Sequence, residues 1–378
     1  MVKKFWKPSL TSQFTICPIP FHMDSYRGCV YNCQYCFARD FVTFARRNRT
    51  GIESTFAYLE GNRHDLLKNW IERTLNKNYD YSKGEEVAFK ERIPLKIGAT
   101  SDPFPPIEKT EHITKNILKV LHEYNYPVEI QTKNPEVLLS YIDEFKKPNW
   151  TIAVTLISTD EKFLKVFEPS APSAKKRLSA IKKITDKGIP VMIKIQPAIY
   201  PKILDDMEDL LKQAKKSGVW AFNTEGLKIR ISMPKHEQEI FKTMSNYLKF
   251  DLRDYYKKYG VNTGSDYELL KNKSEYISLA EKYAEKYDLK YFSADNEMVG
   301  GCSGECCGTE VLKDYKILGN TRTDSYKTDS SIISSELGKV LCNFSRSQKN
   351  KNLTINEVIK NNTKKIFKKI DIQNMFEG

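Results

Sequence analysis

Between residues 93 and 231 the apolar positions switch repeatedly between two rhythms. Short, β-leaning apolar runs occupy 94–99, 127–131, 151–157, 190–195 and 219–231. Between them the spacing becomes helical. Ile113, Ile117, Val120, Leu121 and Tyr124 share one face, as do Met207, Leu210, Leu211 and Ala214, with Gly218 as a stop. Strand–helix alternation predicts parallel strands with helices packed outside them. With a further strand before Cys29, about six β/α units result.

The flanks complete the pattern. Residues 51–92 read as a long first crossover whose buried side is Leu66, Leu67, Trp70 and Leu75. Tyr276, Ala280, Tyr283 and Tyr287 make a later helical stripe, followed by a short strand at 289–293. Residues 246–275 read as a polar insertion, 343–353 as a solvated linker and 354–370 as a terminal basic helix. The predicted organisation is a barrel-like unit at 1–245 and an extension at 246–378, with no internal repeat.

One segment changes the picture from fold to chemistry. Cys29, Cys33 and Cys36 stand in a C-x3-C-x2-C arrangement, close enough for one loop to wrap three thiolates around an inorganic centre. Soft thiolates suit iron–sulfur clusters and zinc. A four-iron cluster normally takes four protein ligands, and no fourth Cys is near, so one iron would stay open for chemistry. Zinc completed by His22 or a remote residue is the competing reading. A second group, Cys302, Cys306 and Cys307, lies among Gly301, Gly304 and Gly308. It reads as an auxiliary iron–sulfur cluster completed by Cys342, Cys17 or a non-Cys ligand, as a zinc site, or as a redox-active dithiol or hydrogen donor. The later β/α unit predicts that this group sits at the barrel mouth, on the side of Cys29.

The spacing with Tyr35 before the last Cys resembles the signature of the radical S-adenosylmethionine (SAM) superfamily. The wider string, Tyr26-Arg27-Gly28-Cys29 through Cys36-Phe37-Ala38-Arg39, is similar to the branch related to spore photoproduct lyase, a DNA-repair family. Further matches are Thr100 to Glu108, Gln131-Thr132-Lys133-Asn134, and Glu168-Pro169 through Arg177-Leu178. The resemblance covers about residues 20–235. It implies an α/β fold, a partial (β/α)6 TIM-type barrel of the radical SAM type, with a C-terminal extension carrying the second Cys group. It also implies a 4Fe–4S cluster on Cys29, Cys33 and Cys36 whose open iron chelates SAM, and an electron donor such as flavodoxin or ferredoxin.

SAM carries a carboxylate, an amine and a ribose, so its pocket needs a cation and hydroxyl groups. Strand-end positions make Lys133 and Arg177 the candidate carboxylate partners. Ser101, Asp102 and Thr155 are candidates for amine and ribose. By resemblance, Tyr35 faces adenine. The implied reaction is reductive cleavage of SAM to a 5′-deoxyadenosyl radical that abstracts hydrogen from substrate. In spore photoproduct lyase a Cys beside the serine of the second strand's loop returns a hydrogen atom to the product. Here that place is Thr100, which favours a reaction other than thymine-dimer repair.

Charge and cysteine use bear on partners. The 378 residues include 61 basic and 48 acidic side chains, a net charge of +13, which raises the local concentration of polyanions. An AT-biased genome would yield the same Lys-rich composition. Tyr255, Tyr256 and Tyr259 among Arg253, Lys257 and Lys258 are the best candidates for stacking on a nucleic acid. The five His residues are scattered and read as non-ligands. No run of eighteen apolar residues and no signal-like start are present, so a cytoplasmic protein with no membrane partner is expected. The eight Cys, clustered in a long chain, fit metal binding in a reducing compartment. The function reading is a radical SAM enzyme acting on a nucleic acid or nucleotide. The alternatives are a radical SAM enzyme modifying a peptide or small metabolite, and a non-catalytic iron–sulfur or zinc module that binds nucleic acid.

Overall fold

The computed structural model describes residues 1–10, 17, 19–39, 42–43, 57–78, 83–230, 235–262, 267–270, 273–294, 306–318 and 332–333. Cys302, Cys342, the 343–353 segment and the 354–370 segment lie outside the described residues, and Cys306 is described in its backbone alone.

Eight strands form the central sheet: β1 (Ser9–Leu10), β2 (Phe21–Met23), β3 (Leu95–Ile97), β4 (Val128–Thr132), β5 (Trp150–Thr155), β6 (Val191–Ala198), β7 (Ala221–Gly226) and β8 (Lys290–Ser293). Their spatial order follows the chain. Strands β2 to β8 pair in parallel, and β1 runs antiparallel to β2. Sequential order with parallel pairing requires a crossover after every strand on the same side, because these connections share one hand. The sheet therefore curls into the partial barrel that the alternating pattern predicts.

Each strand has two different faces. Leu95, Ile97, Val128, Ile130, Ile152, Val154, Ile193 and Phe222 point outward to the helices and join the main core. The outer layer includes α1 (His64–Leu75), α2 (Ile113–Glu123), α3 (Glu161–Phe167), α4 (Ala174–Thr185) and α5 (Lys202–Lys216). In α2, Ile117, Leu118 and Leu121 are fully buried, about 1.5–3 kcal/mol each from area removed from water. Helix starts are fixed locally: the Asp160 carboxylate accepts from Lys162 and Phe163 N–H at the head of α3, and Ser173 caps α4. In α1, Leu67 and Trp70 are buried as predicted, but Ile71 and Thr74 complete the face and Leu75 is exposed. The apolar stripe turns inward one residue earlier than the leucines suggest.

Beyond residue 245, α6 (Leu252–Tyr259) and α7 (Lys273–Lys286) follow. Tyr276, Ala280 and Tyr283 of α7 are buried as the stripe predicts, and β8 extends the sheet beside β7. Tyr256 of α6 is fully buried, and Tyr255 packs among Tyr200, Phe250 and Tyr259. Two of the three stacking candidates thus serve the core.

After β8 the chain returns to the N-terminal ends of the strands. Asn149, just before β5, exchanges two 2.8 Å hydrogen bonds with the Lys313 backbone. Arg92, before β3, donates to the Asp314 carbonyl at 2.6 Å. Cys307 is buried with Ile19, Ala153, Met192, Ala221, Phe292 and Ile317. The expectation that this Cys lies at the barrel mouth is overturned: it sits in the floor. Ala153, Met192, Ala221 and Ile317 give it small or apolar neighbours there, among which a buried thiol acts as a small hydrophobe.

Candidate functional site

The site grows from the C-terminal end of β2. A small three-stranded sheet, Val2–Lys4, Glu60–Asn62 and Tyr26–Arg27, anchors the chain just before the cysteines. Gly28 then turns with φ +95°, in the left-handed region that favours glycine, and starts the loop. Asn32 also takes a positive φ, and the Cys36 N–H bonds to the Cys33 carbonyl. The loop is docked by its backbone on the end of α3 and the segment that follows: Gln34 N–H donates to the Phe167 carbonyl at 2.8 Å, and Ser170 N–H to the Tyr31 carbonyl at 3.3 Å. Tyr31 also donates to the Phe104 carbonyl at 2.5 Å and accepts from Asn134 at 2.8 Å, tying the loop to those after β3 and β4.

The three thiols are enclosed by this loop and its neighbours. Burial pushes Cys29 up to about 12 and raises Cys33 and Cys36 as well, while Lys133 works against the rise at the latter two. Burial favours the protonated thiols, and a metal has to displace their protons to bind. Among the described residues no three His, Cys, Asp or Glu side chains close to single-ion spacing. Three soft donors on one loop, with Lys133 and Arg39 nearby to offset negative charge, fit an iron–sulfur cluster or zinc. His22 lies on β2 with its Nε2 3.4 Å from Ser9 Oγ.

Beside the loop stands a buried ionic group centred on Glu168. Its carboxylate is 2.5 Å from Arg177, accepts from the Tyr35 hydroxyl, and lies 3.9 Å from the Lys133 ammonium. Burial favours its neutral form, but Arg177 and Lys133 outweigh that and hold its pKa below the usual range. Arg177 has no exposed side-chain surface. Besides Glu168 it donates to the Pro172 and Thr155 carbonyls, at 2.8 and 2.9 Å. Lys133 keeps 17% of its side chain exposed and sits 5.6 Å from the Tyr35 ring centroid. Burial lowers its pKa, and Cys33 and Glu168 more than compensate.

The other candidates shape this wall from behind. The Asp102 carboxylate accepts from Lys133 N–H at 2.6 Å, Thr132 Oγ1 at 2.8 Å and Phe104 N–H at 3.0 Å, so it fixes the turn bearing Lys133. Ser101 is buried and donates its hydroxyl to the Tyr26 carbonyl. The Thr155 side chain is half-buried at the end of β5. Thr100 bonds to Asp24 through both N–H and hydroxyl.

Cys29, Cys33, Cys36, Tyr35, Lys133 and Arg177 are thus gathered in one region, with Asp102 and Ser101 as its supports. Cys307 is at the other end of the strands. Sequence reasoning passed over Glu168 as a site residue, and Asn134, whose Oδ1 is buried without a partner among the described residues. Both stand inside quoted strings, and only contact geometry reveals their centrality.

The Radical SAM superfamily profile matches residues 23–214, just over half of the chain. An uncharacterized protein of Methanocaldococcus jannaschii is 29% identical over 184 residues, 48% of this chain and 61% of the relative. One of Mycobacterium tuberculosis is 23% identical over 219 residues, 56% of this chain and 60% of the relative. The matched region therefore spans about 60% of the length of these relatives. Among solved structures, a Cys-to-Ala variant of spore photoproduct lyase superposes with a TM-score of 0.53 at 15% identity, covering 75% of this chain and 78% of that one. Another variant, with bound AdoMet and dinucleoside spore photoproduct, gives 0.50 at 15% identity over 76% and 80%. At that identity the likeness concerns the fold.

Proposed function

Because the chain belongs to the radical SAM superfamily, we propose that it is an enzyme that cleaves S-adenosylmethionine reductively to abstract hydrogen from a nucleic acid or nucleotide. The observation that carries this reading is the three-thiol loop at the C-terminal end of β2, docked through Gln34 on Phe167 and backed by the Glu168 group. The +13 charge supports a polyanionic or nucleotide partner.

Cys29, Cys33 and Cys36 would hold a 4Fe–4S cluster, leaving one iron for SAM. When bound, the pair supplies an electron to the sulfonium and hydrogen abstraction through the released 5′-deoxyadenosyl group. The protein's own contribution is orientation and exclusion of water. Lys133 presents a partly accessible ammonium for the SAM carboxylate, and Asp102 holds its backbone in place. Arg177 keeps Glu168 ionised, and Glu168 fixes the Tyr35 hydroxyl and so the ring that would face adenine. Ser101, its hydroxyl given to the Tyr26 carbonyl, would support the wall from behind, and Thr155 at the end of β5 would serve the ribose. Thr100, bonded to Asp24, has no thiol hydrogen to give, which supports a reaction other than dimer repair.

An auxiliary cluster or zinc on Cys302, Cys306 and Cys307 would lie at the floor if Cys307 took part, and would then act on stability or electron supply and not on substrate. Anaerobic reconstitution with iron and sulfide, then SAM and dithionite, tests the main reading. Iron content near four per chain, with 5′-deoxyadenosine formed, is expected of wild type. Cys33→Ala should lose both the charge-transfer absorbance and the product. Intact SAM beside an assembled cluster would overturn the enzyme reading in favour of a binding module. Salt-dependent binding of single-stranded DNA or RNA separates a nucleic-acid substrate from a peptide or neutral metabolite.

A further inference from the structure

The inward face of the sheet carries groups that the fold alone does not require. Thr155, Lys194, Asn223 and Phe292 are register partners across β5, β6, β7 and β8, so they form one row. Their outward neighbours Val154, Ile193 and Phe222 belong to the helix-packed core, which leaves this row facing the lumen. The row beneath it is Ala153, Met192 and Ala221, covered from below by Cys307. Above, the Thr155 carbonyl receives Arg177. The row therefore lies between a closed floor and the end that carries the cysteine loop.

One of its side chains lacks a hydrogen-bond partner among the described residues, and its neighbour is an ammonium whose nearby charge is the Glu129 carboxyl. Asn223 is fully buried, and both its amide nitrogen and its amide oxygen have no hydrogen-bond partner among the described residues. Lys194 is 6% exposed, and no hydrogen bond or ion pair to its ammonium occurs among the described residues. The other charged groups facing the lumen are engaged. Glu129 accepts from Gln131 Nε2 at 2.9 and 2.8 Å, and Lys96 lies 3.2 Å from Cys17 Sγ. Glu225, nearer the mouth, pairs with Lys228. Deep in the lumen two ammonium groups face one carboxylate. A buried amide without a partner is costly, so a folded chain that keeps one beside an ammonium, where two ammonium groups share one carboxyl, is built to receive something.

We infer that Lys194 and Asn223 bind the substrate, a small anion carrying an amide-like edge. An ammonium offers only donors, so its partner is a carboxylate or phosphate oxygen. The planar amide of Asn223 offers one donor edge and one acceptor edge, which match a pyrimidine imide or a peptide group. Adjacent strands lie about 4.8 Å apart, so one small molecule reaches both side chains. The inference rests on the radical SAM reading for calling the guest a substrate, while the binding chemistry stands without it.

Calorimetry on the reconstituted protein with SAM tests it, using thymidine 5′-monophosphate and N-acetyl-alanyl-alanine as anionic probes. Thymidine and the dipeptide's C-terminal amide are their uncharged counterparts. One anionic probe should bind more tightly than its counterpart, which identifies the source of the chemistry. Lys194→Met should weaken that probe by roughly tenfold to a hundredfold and leave its uncharged counterpart unchanged. Binding of neither anion, or binding that Lys194→Met does not alter, overturns the inference. A ligand-free arm guards against misfolded variants. Asn223→Leu should raise the melting temperature of the unliganded protein by roughly 2–6 °C, because it removes an unpartnered buried amide. A fall would show that this amide is satisfied within the fold, and would also overturn it. Formation of 5′-deoxyadenosine by wild type without any probe is measured in parallel. Its failure would remove the enzyme reading and leave the binding result to stand by itself.

Discussion

Replacing Glu168 by Ala would leave the Arg177 guanidinium buried with no carboxylate at its side. The two groups are 2.5 Å apart and neither side chain has exposed surface. Removing one member of such a pair costs about 3–5 kcal/mol, mostly from the uncompensated charge. At about 2 °C per kcal/mol for a large domain, the melting temperature should drop by roughly 6–10 °C. Glu168→Gln keeps the shape and an acceptor, and should lose about 1.5–3 kcal/mol. The pair variant Glu168→Leu with Arg177→Met should recover more than half of the Ala deficit, since no charge is then stranded. Differential scanning calorimetry of all four proteins measures this. The sign with pH is also determined. Burial acts against ionisation of Glu168, but Arg177 and Lys133 hold its folded pKa below the unfolded value. Its stabilisation is therefore complete above about pH 4.3 and is lost as pH falls through the lower folded value. The gap between wild type and Glu168→Gln should be flat from about pH 6 upward and close in acid. A Glu168→Ala protein that melts within about 1 °C of wild type would refute the buried-pair argument.

Lys133→Ala should weaken SAM binding by roughly tenfold to a hundredfold while iron content stays at the wild-type level; unchanged affinity removes Lys133 from the pocket. Glu129→Gln should flatten the pH dependence of stability. Burial, with a further push from Cys307 and against Lys194 and Lys96, raises the Glu129 carboxyl to about 7. The folded chain then holds a proton that the unfolded chain has released, so wild type should lose up to about 3 kcal/mol as pH rises from 4.5 to 7. Equal slopes in urea melts of the two proteins would contradict the raised value. Gly98→Ala should destabilise by about 2 kcal/mol or more. Gly98 has φ +96°, and an added Cβ would lie 2.4 Å from the Gln131 carbonyl oxygen and 2.7 Å from Pro103 Cδ. A melting temperature equal to wild type would mean that the turn after β3 rearranges freely.

The periodicity of residues 93–231 contained most of the barrel. Strand and helix rhythms are properties of adjacent residues, and a parallel sheet in sequential order follows from them with the crossover hand. The spacing of Cys29, Cys33 and Cys36 was equally local, because one loop of eight residues holds all three. Lys133 and Arg177 were found from strand-end position, but position does not reveal partners. Arg177 turned out to be enclosed by Glu168, Pro172 and Thr155, and Lys133 to be the more exposed cation.

What the chain alone determined was therefore rhythm, spacing and donor type, each written within a few residues. Tertiary structure decided which side chains met. Glu168 became the hub of the site because the Arg177 helix and the cysteine loop converge on it from opposite sides. Cys307 went to the floor because Ala153, Met192 and Ala221 present a small apolar patch there that some segment has to cover. Asn223 and Lys194, unremarkable as residues in a strand, acquired meaning from register, which sets a buried amide without a hydrogen-bond partner beside an ammonium on the inward face. Burial, pairing and register depend on residues far apart in the chain, and periodicity carries no information about them.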